Sequence, residues 1–118
     1  MTHERIRLGA SGEERAAAWL ESKGYKIIAT NWRCPLGEID LIAQKKDILA
    51  ICEVKTRRTG DYGSPFEAIT PRKQRRLRKL GEYYWCFVNE RRLRVRFDAL
   101  AVYDRGDEII VDHIENAF

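Results

Sequence analysis

Four charged residues near the middle of the sequence have the types and spacing that suit work on a phosphate group. Glu38 and Asp40 lie two apart in one strand-like run, and Glu53 and Lys55 lie two apart in the next. Because side chains two apart on a strand share a face, each pair points in one direction. If the turn between the runs is residues 44–47, Glu38 lies opposite Glu53, with Asp40 on the diagonal. Three acids and a lysine are therefore predicted to converge on one face.

Asp40 and Glu53 are the expected ligands of a hard divalent cation. Mg²⁺ is typically held by one or two carboxylates while it keeps water and substrate phosphate oxygens in its shell. Water bound to such an ion is more acidic, and the ion offsets charge that builds on a phosphorus centre. Lys55 is positioned to orient the water or to stabilise the developing oxyanion. The set predicts phosphodiester hydrolysis with Mg²⁺ or Mn²⁺.

The alternative interpretation is a half-buried hairpin whose charged face meets water. The run from Ile48 to Val54 argues against it, since apart from Glu53 it is apolar on both faces, as expected of a strand covered on both sides. Burying a charge without a partner costs several kcal/mol. Acids in such a strand therefore usually ligate a metal, pair tightly or line a cleft, and we expect a site here.

The elements that must position these residues are predicted in the order αβββαββ. A capping box at Ser11 and Glu14 and a C-cap at Gly24 predict a helix over residues 12–23. A second, amphipathic helix is predicted over residues 71–89, with Thr70 as its N-cap. A loop is expected between residues 57 and 65. The predicted strands are residues 25–33, 38–43, 48–56, 94–103 and 108–114.

The composition fits one domain over residues 1–118, with 44% apolar residues to build a core. The longest apolar run, Tyr83 to Val88, is six residues long, whereas a membrane helix needs roughly 20. The N-terminus lacks the features of a secretory signal. The three cysteines have neither CxxC spacing nor an even count. We therefore expect a cytoplasmic protein without a membrane segment, with its thiols reduced.

Basic charge is concentrated in one third of the chain. Residues 57–96 contain 12 Lys or Arg and four Asp or Glu, whereas the net charge of the whole chain is +4. Such polarity attracts a polyanion, although any single basic residue of the second helix is slightly better explained as part of a solvated face. As a group these residues are predicted to contact nucleic acid, and the candidates are Arg57, Arg72, Lys73, Arg75, Arg76 and Lys79.

Two segments resemble the two-part signature of the PD-(D/E)xK nucleases. They are GEIDLIA, residues 37–43, and EVKTR, residues 53–57. The resemblance to the UPF0102 family is closer and covers nearly the whole chain in order. The further matching segments are Gly9-x-x-Gly12-Glu13, Asn31-Trp32-Arg33, Lys73-Gln74-x-Arg76-Leu77, Arg96-Phe97-Asp98 and Asn116-Ala117-Phe118.

The resemblance implies a restriction-endonuclease-like α/β fold, in which three layers contain a central mixed β-sheet flanked by helices, similar to archaeal Holliday junction resolvases. It implies a metal-dependent DNA endonuclease, with branched DNA as one substrate option and a homodimer as one assembly option. By position, the active-site residues would be Glu13, Asp40, Glu53 and Lys55, and the metal ligands would be Asp40, Glu53, Glu13 and Glu38. The amide of Gln74 would either point into the cleft, as a further nucleic-acid contact, or serve the start of its helix. The alternative function is a non-catalytic nucleic-acid-binding accessory protein with the same fold.

The remaining polar and aromatic candidates have simpler interpretations. His3 and His113 are far apart in sequence and are expected at the surface. Asp98 is expected to pair with a neighbouring arginine. Tyr62 and Phe66 flank the predicted loop, where packing is more typical than stacking on a base.

Overall fold

The computed structural model of the protein describes residues 12–58, 63–88 and 93–118. Two helices, α1 (Gly12–Ser22) and α2 (Pro71–Phe87), are joined to the strands in the predicted order αβββαββ. A short 3₁₀ helix at Pro65–Ala68 is an addition to the predicted loop. Ser11, His3 and Tyr62 lie outside the described residues. The strands are β1 (Lys26–Cys34), β2 (Gly37–Lys45), β3 (Ile48–Arg58), β4 (Arg94–Asp104) and β5 (Ile109–Ile114).

The five strands form one open mixed sheet in the order β1-β2-β3-β4-β5. Neighbouring strands are antiparallel except for β3 and β4, which are parallel. A parallel pair needs a long crossover connection, and the segment that contains α2 supplies it. The helices pack on opposite faces of the sheet. The architecture is therefore a three-layer α/β fold, as expected.

The hydrophobic core consists of one cluster on each face of the sheet. On one face, Ala16 and Leu20 of α1 pack against the sheet. On the other, Leu77 and Leu80 of α2 do so. Strand β3 contributes to both clusters, which explains its apolar run. Its side chains on the α1 side are Ala50, Cys52 and Val54, and those on the α2 side include Leu49 and Ile51.

The start of α2 follows the predicted capping pattern. Thr70 has extended backbone angles and its hydroxyl accepts a hydrogen bond from the backbone N–H of Lys73 at 3.2 Å. Pro71 occupies the first turn, where its missing N–H costs nothing.

Neither helix in the described part of the chain is long and apolar enough to cross a membrane.

The turn between β2 and β3 is shorter than predicted. Lys45 pairs with Ile48, so the connection is Lys46 and Asp47 instead of residues 44–47. Lys46 reverses the chain because it adopts a left-handed φ of 55°. The register is therefore displaced from the expected one by two residues. Its continuation past the last pair, Leu41 with Cys52, brings Asp40 and not Glu38 opposite Glu53.

A cluster of charged side chains is buried on the α1 side of the sheet. Asp98 is fully buried and accepts hydrogen bonds from Nε and Nη2 of Arg96, each at 2.8 Å. Nε2 of His113 lies 2.7 Å from the same carboxylate, and Arg96 also donates to the hydroxyl of Tyr25. The expected pairing of Asp98 with an arginine is confirmed. The expected surface position of His113 is wrong, because its side chain is 7% exposed and packs edge-on against Trp19.

Loss of the Asp98 carboxylate is expected to destabilise the protein strongly. Burial raises the pKa of Asp98, but the hydrogen bonds from His113 and Arg96 outweigh it, so the net pKa is lowered. The ionised group therefore stabilises the fold at neutral pH, and this contribution is lost as pH falls below the ordinary value of 3.8. Asp98→Asn leaves Arg96 without its carboxylate and is expected to cost about 3–5 kcal/mol at pH 7.

Urea denaturation at pH 7 measures this loss. The matched control is Asp112→Asn, at an exposed position of the neighbouring strand β5, which is expected to change the free energy of unfolding by less than about 0.5 kcal/mol. Equal losses in the two variants would show that the cluster does not stabilise the fold.

Candidate active site

Strands β2 and β3 separate at the position of the acidic residues. Their last pair is Leu41 with Cys52. Beyond it, residues 37–39 of β2 remain paired with β1, while residues 53–58 of β3 remain paired with β4. The two strands thus form a fork. We use "the fork" for Asp40 on one arm together with Glu53 and Lys55 on the other.

The side chain of Asp40 replaces a backbone group at the fork. Its Oδ2 accepts a hydrogen bond at 2.9 Å from the backbone N–H of Val54, a donor that the separating β2 no longer satisfies. The regular alternation of β2 is interrupted here, because Ile39 and Ile42 both pack on the α2 side. On β1, Asn31 lies between the pairs at this level and has a φ of 50°. These irregularities allow the carboxylate to turn toward β3.

Asp40 and Glu53 form a close pair of carboxyl groups. Burial, and after it the hydrogen bond with the Glu53 side chain, raises the pKa of Asp40 from 3.8 to about 7. The Val54 N–H and the charge of Lys55 act in the opposite direction. Glu53 itself is buried. Asp40 therefore retains its proton to a higher pH than an ordinary carboxyl group does.

Two lysines lie next to the carboxyl pair. Lys55 follows Glu53 by two residues on the same side of β3, and Lys73 lies in the first turn of α2. The pKa of Lys73 is lowered, first because its amino group is within hydrogen-bonding reach of Lys55 and second by burial. The charge of Glu53 partly compensates. Two cationic groups in contact favour an anion beside them.

Arg57 lies at the end of β3 with one unused donor. Its Nη1 donates to the carbonyl of Thr56 at 3.3 Å. Its Nε is buried and has no hydrogen-bond partner among the described residues. A buried N–H without an acceptor is costly, so a ligand oxygen that reached this donor would remove that cost.

A groove with a volume of about 660 Å³ runs along the first turns of α2, and cationic side chains dominate its lining. The lining residues are Thr70, Arg72, Lys73, Arg75, Arg76 and Lys79. Gln74 has a different role, since its amide nitrogen donates to the carbonyl of Ile69 at 3.1 Å. Of the two alternatives for Gln74, the structure shows the one at the start of the helix.

The structure does not bring Glu38 to the fork. Glu38 pairs with Arg33 across the β1–β2 ladder, and its carboxylate lies 3.2 Å from the guanidinium. Its neighbour Ile39 faces α2, so Glu38 points to the other side of the sheet from Glu53 and Lys55. The expectation that all three acids share one face is wrong, because the alternation of β2 is interrupted at Asp40.

Glu13 lies in the first turn of α1, beside the C-terminal part of β3. The preceding Gly12 approaches the side chain of Thr56 so closely that a Cβ at residue 12 would overlap it. The role of Glu13 as an active-site residue and metal ligand stays a prediction. Within residues 12–58, 63–88 and 93–118, no three His, Cys, Asp or Glu side chains form a group that could hold a metal ion.

Comparison with known proteins identifies the family. The family model described as "Uncharacterised protein family UPF0102" matches residues 12–102. The chain belongs to this family. The match contains both arms of the fork, the groove of α2, and Tyr25, Arg96 and Asp98 of the buried cluster, whereas His113 lies beyond it.

Curated relatives resemble the chain over nearly its full length. A UPF0102 protein of Syntrophotalea carbinolica is 43% identical over 118 residues, which cover 100% of this chain and 96% of the relative. One of Renibacterium salmoninarum is 47% identical, with 93% and 94% covered. One of Flavobacterium psychrophilum is 44% identical, with 98% and 96% covered. The family assignment made from sequence is therefore confirmed.

One residue of this UPF0102 site has a contact that sequence analysis did not predict. Lys73 lines the groove of α2 with the other predicted nucleic-acid contacts, and its amino group also lies against Lys55. The order of the elements along the chain already indicated this contact between Lys73 and Lys55. The crossover from β3 leads into α2, and Lys73 is in the first turn after the Thr70 cap.

The stability of the metal-free protein is expected to fall as pH rises from about 4 to about 7. The pKa of Asp40 is raised from 3.8 to about 7, so over this range the folded state binds a proton that the unfolded state releases. Above pH 7 both states are ionised there, and the dependence levels off. Asp40→Asn, which keeps an acceptor for Val54 N–H, is expected to remove this slope.

Urea denaturation in EDTA at several pH values from 5 to 8 tests the assignment. Asp112→Asn, at an exposed position of β5, is the control and is expected to keep the wild-type slope. If Asp40→Asn has the same slope as the control, the raised pKa does not belong to this pair.

Proposed function

We propose that this protein is a metal-dependent endonuclease that hydrolyses phosphodiester bonds in DNA. The observation that carries the proposal is the fork, where two adjacent carboxyl groups lie beside two lysines. The cationic groove of α2 begins at one of these lysines, since Lys73 belongs to both. The resemblance of residues 37–43 and 53–57 to the PD-(D/E)xK signature supports the same chemistry.

Asp40 and Glu53 would hold the metal ion, Mg²⁺ or Mn²⁺. The donor set fits, because Mg²⁺ needs only one or two protein carboxylates. The raised pKa of Asp40 beside Glu53 marks a place where positive charge is favourable. When bound, the ion would supply charge stabilisation at phosphorus and a more acidic water. Glu13 remains a candidate for a further ligand.

The cationic residues of the site would act on the phosphate. Lys55 would stabilise the negative charge that develops on the phosphate oxygens in the transition state. Lys73 would keep an anion between itself and Lys55, because the repulsion between two ammonium groups is relieved when an anion binds. The unused Nε of Arg57 would donate to a neighbouring phosphate. The groove residues would hold the backbone on either side without reading the sequence.

A second candidate is a protein that binds nucleic acid without cleaving it. It is favoured by the finding that no third carboxylate joins Asp40 and Glu53 among the described residues. Calorimetric titration with Mg²⁺ and Mn²⁺ separates the two functions. The endonuclease requires metal binding that Asp40→Asn weakens, whereas the binding protein does not.

Lys55→Ala is expected to slow DNA cleavage about 100- to 1000-fold, because a group that stabilises transition-state charge is lost. DNA affinity is expected to change little, since Lys55 is one phosphate contact among many. Single-turnover cleavage of labelled branched and duplex DNA in Mn²⁺ measures the rate, and binding in EDTA measures the affinity. The control is Lys46→Ala, at the exposed turn between β2 and β3.

A thermal melt of Lys55→Ala distinguishes catalysis from structure. If Lys55 only balances the buried Glu53, its removal leaves an unpaired carboxylate and costs several kcal/mol. A large fall in melting temperature with a proportionate loss of binding would support that role. Unchanged cleavage would exclude Lys55 from the mechanism.

Arg76→Ala is expected to make duplex binding less sensitive to salt. Each phosphate neutralised contributes about 0.9 to the slope of log K against log salt concentration. The slope should therefore decrease by about 0.9 if Arg76 contacts a phosphate. Arg105→Ala, at an exposed position in the β4–β5 turn, is expected to keep the wild-type slope. Equal slopes in all three proteins would contradict a DNA contact at the groove.

A further inference from the structure

One exposed flank of α2 is cationic near the start of the helix and aromatic near its end. Residues three or four apart on a helix lie in one row, and this flank carries three cations followed by two aromatic rings. The row consists of Arg72, Arg76, Lys79, Tyr83 and Phe87. From first to last residue it spans about 22 Å at 1.5 Å per residue. The cationic half belongs to the groove described above.

In the aromatic half of the row the rings pack against one another, and the last ring is exposed. The rings of Tyr83 and Phe87 have centroids 4.7 Å apart, and Trp32 of β1 lies 6.1 Å from Tyr83. Trp32 also packs edge-on against the buried Tyr84 at 5.1 Å, which anchors the cluster to the core. Phe87 is 74% exposed. We use "the aromatic platform" for Trp32, Tyr83 and Phe87.

We propose that the aromatic platform stacks on unpaired bases of single-stranded nucleic acid whose phosphates lie along the cationic half of the row. Aromatic side chains beside a basic track are the usual means of binding single strands, because every base has a face that can stack. Bases inside a duplex are already stacked on one another and cannot reach Phe87. The substrate class is therefore nucleic acid with a single-stranded segment.

Charge decides against a second copy of the chain as the occupant. In a two-fold symmetric dimer the same patch occurs on both sides of the interface. Packing this flank against its own copy would give Arg72, Arg76 and Lys79 no acidic partner, because the row contains no carboxylate. A single strand satisfies both halves of the row, with phosphates for the cations and bases for the rings.

This inference deepens the proposed function and rests on it for the phosphate contacts, but its test needs no cleavage. Fluorescence anisotropy in EDTA would compare three labelled probes, namely a 15-nucleotide oligothymidine, an abasic strand of the same length and a 15-base-pair duplex. Phe87→Ala is expected to weaken oligothymidine binding about 5- to 150-fold. Binding of the abasic strand and of the duplex should not change. Phe87→Tyr should retain the affinity of the wild type.

The matched control is Ile110→Ala, at an exposed apolar position on the edge strand β5, which should bind all three probes like the wild type. Equal losses of Phe87→Ala on all probes, or no loss on any, would overturn the proposal. Sedimentation velocity tests the other occupant. A dimer that Phe87→Ala converts to a monomer with unchanged oligothymidine affinity would assign the platform to self-association and overturn the proposal.

The two proposals can fail separately. If the wild type binds oligothymidine through Phe87 but cleaves nothing in Mg²⁺ or Mn²⁺, the platform stands and the catalytic function fails. If the wild type cleaves DNA but Phe87→Ala binds oligothymidine as well as the wild type does, the catalytic function stands and the platform fails.

Discussion

The hydrogen bond from Val54 N–H to Oδ2 of Asp40 determines where the candidate site forms. It replaces a bond of the sheet ladder at the place where β2 leaves β3. The Asp40 carboxylate accepts the hydrogen bond that a backbone carbonyl would accept in a regular ladder. Asp40 is therefore fixed beside Glu53 even though two carboxylates repel each other. This replacement holds Asp40 next to Glu53, where burial and the neighbouring carboxyl group raise its pKa. The fork is thus both the end of a strand pair and the centre of the candidate site.

The charged clusters on the two faces of the sheet differ in how well their charges are paired. On the α1 side, Asp98 is enclosed with Arg96 and His113, so every charge has a partner and the cluster joins the last two strands. On the α2 side, Asp40 and Glu53 lie side by side, and the pKa of Asp40 is raised by burial and by its hydrogen bond with Glu53. A cluster that is satisfied supports the fold, whereas one that is not is available to a ligand.

Local patterns predicted the elements, but contacts distant in sequence required the structure. Alternation and capping signals placed all five strands and both helices within a few residues, and they placed Asp40, Glu53 and Lys55 together. The register failed, because it depends on whether Lys46 adopts a left-handed φ, which composition does not reveal. His113 was misassigned since its partner lies 15 residues away on another strand. The aromatic platform was missed because Trp32 joins α2 only in three dimensions.

The position of Asp40 beside Glu53 depends on the number of residues in the turn between β2 and β3. Surface turns commonly accept insertions with little effect. Here the turn is also held from outside, since Asp47 pairs with Arg94 and its carbonyl accepts from Arg94 N–H. One residue added at this turn, if β2 shifted against β3, would exchange the faces of the strand and carry Asp40 away from Glu53. New loops can therefore be grafted onto this fold more safely at the β4–β5 turn, at the far edge of the sheet.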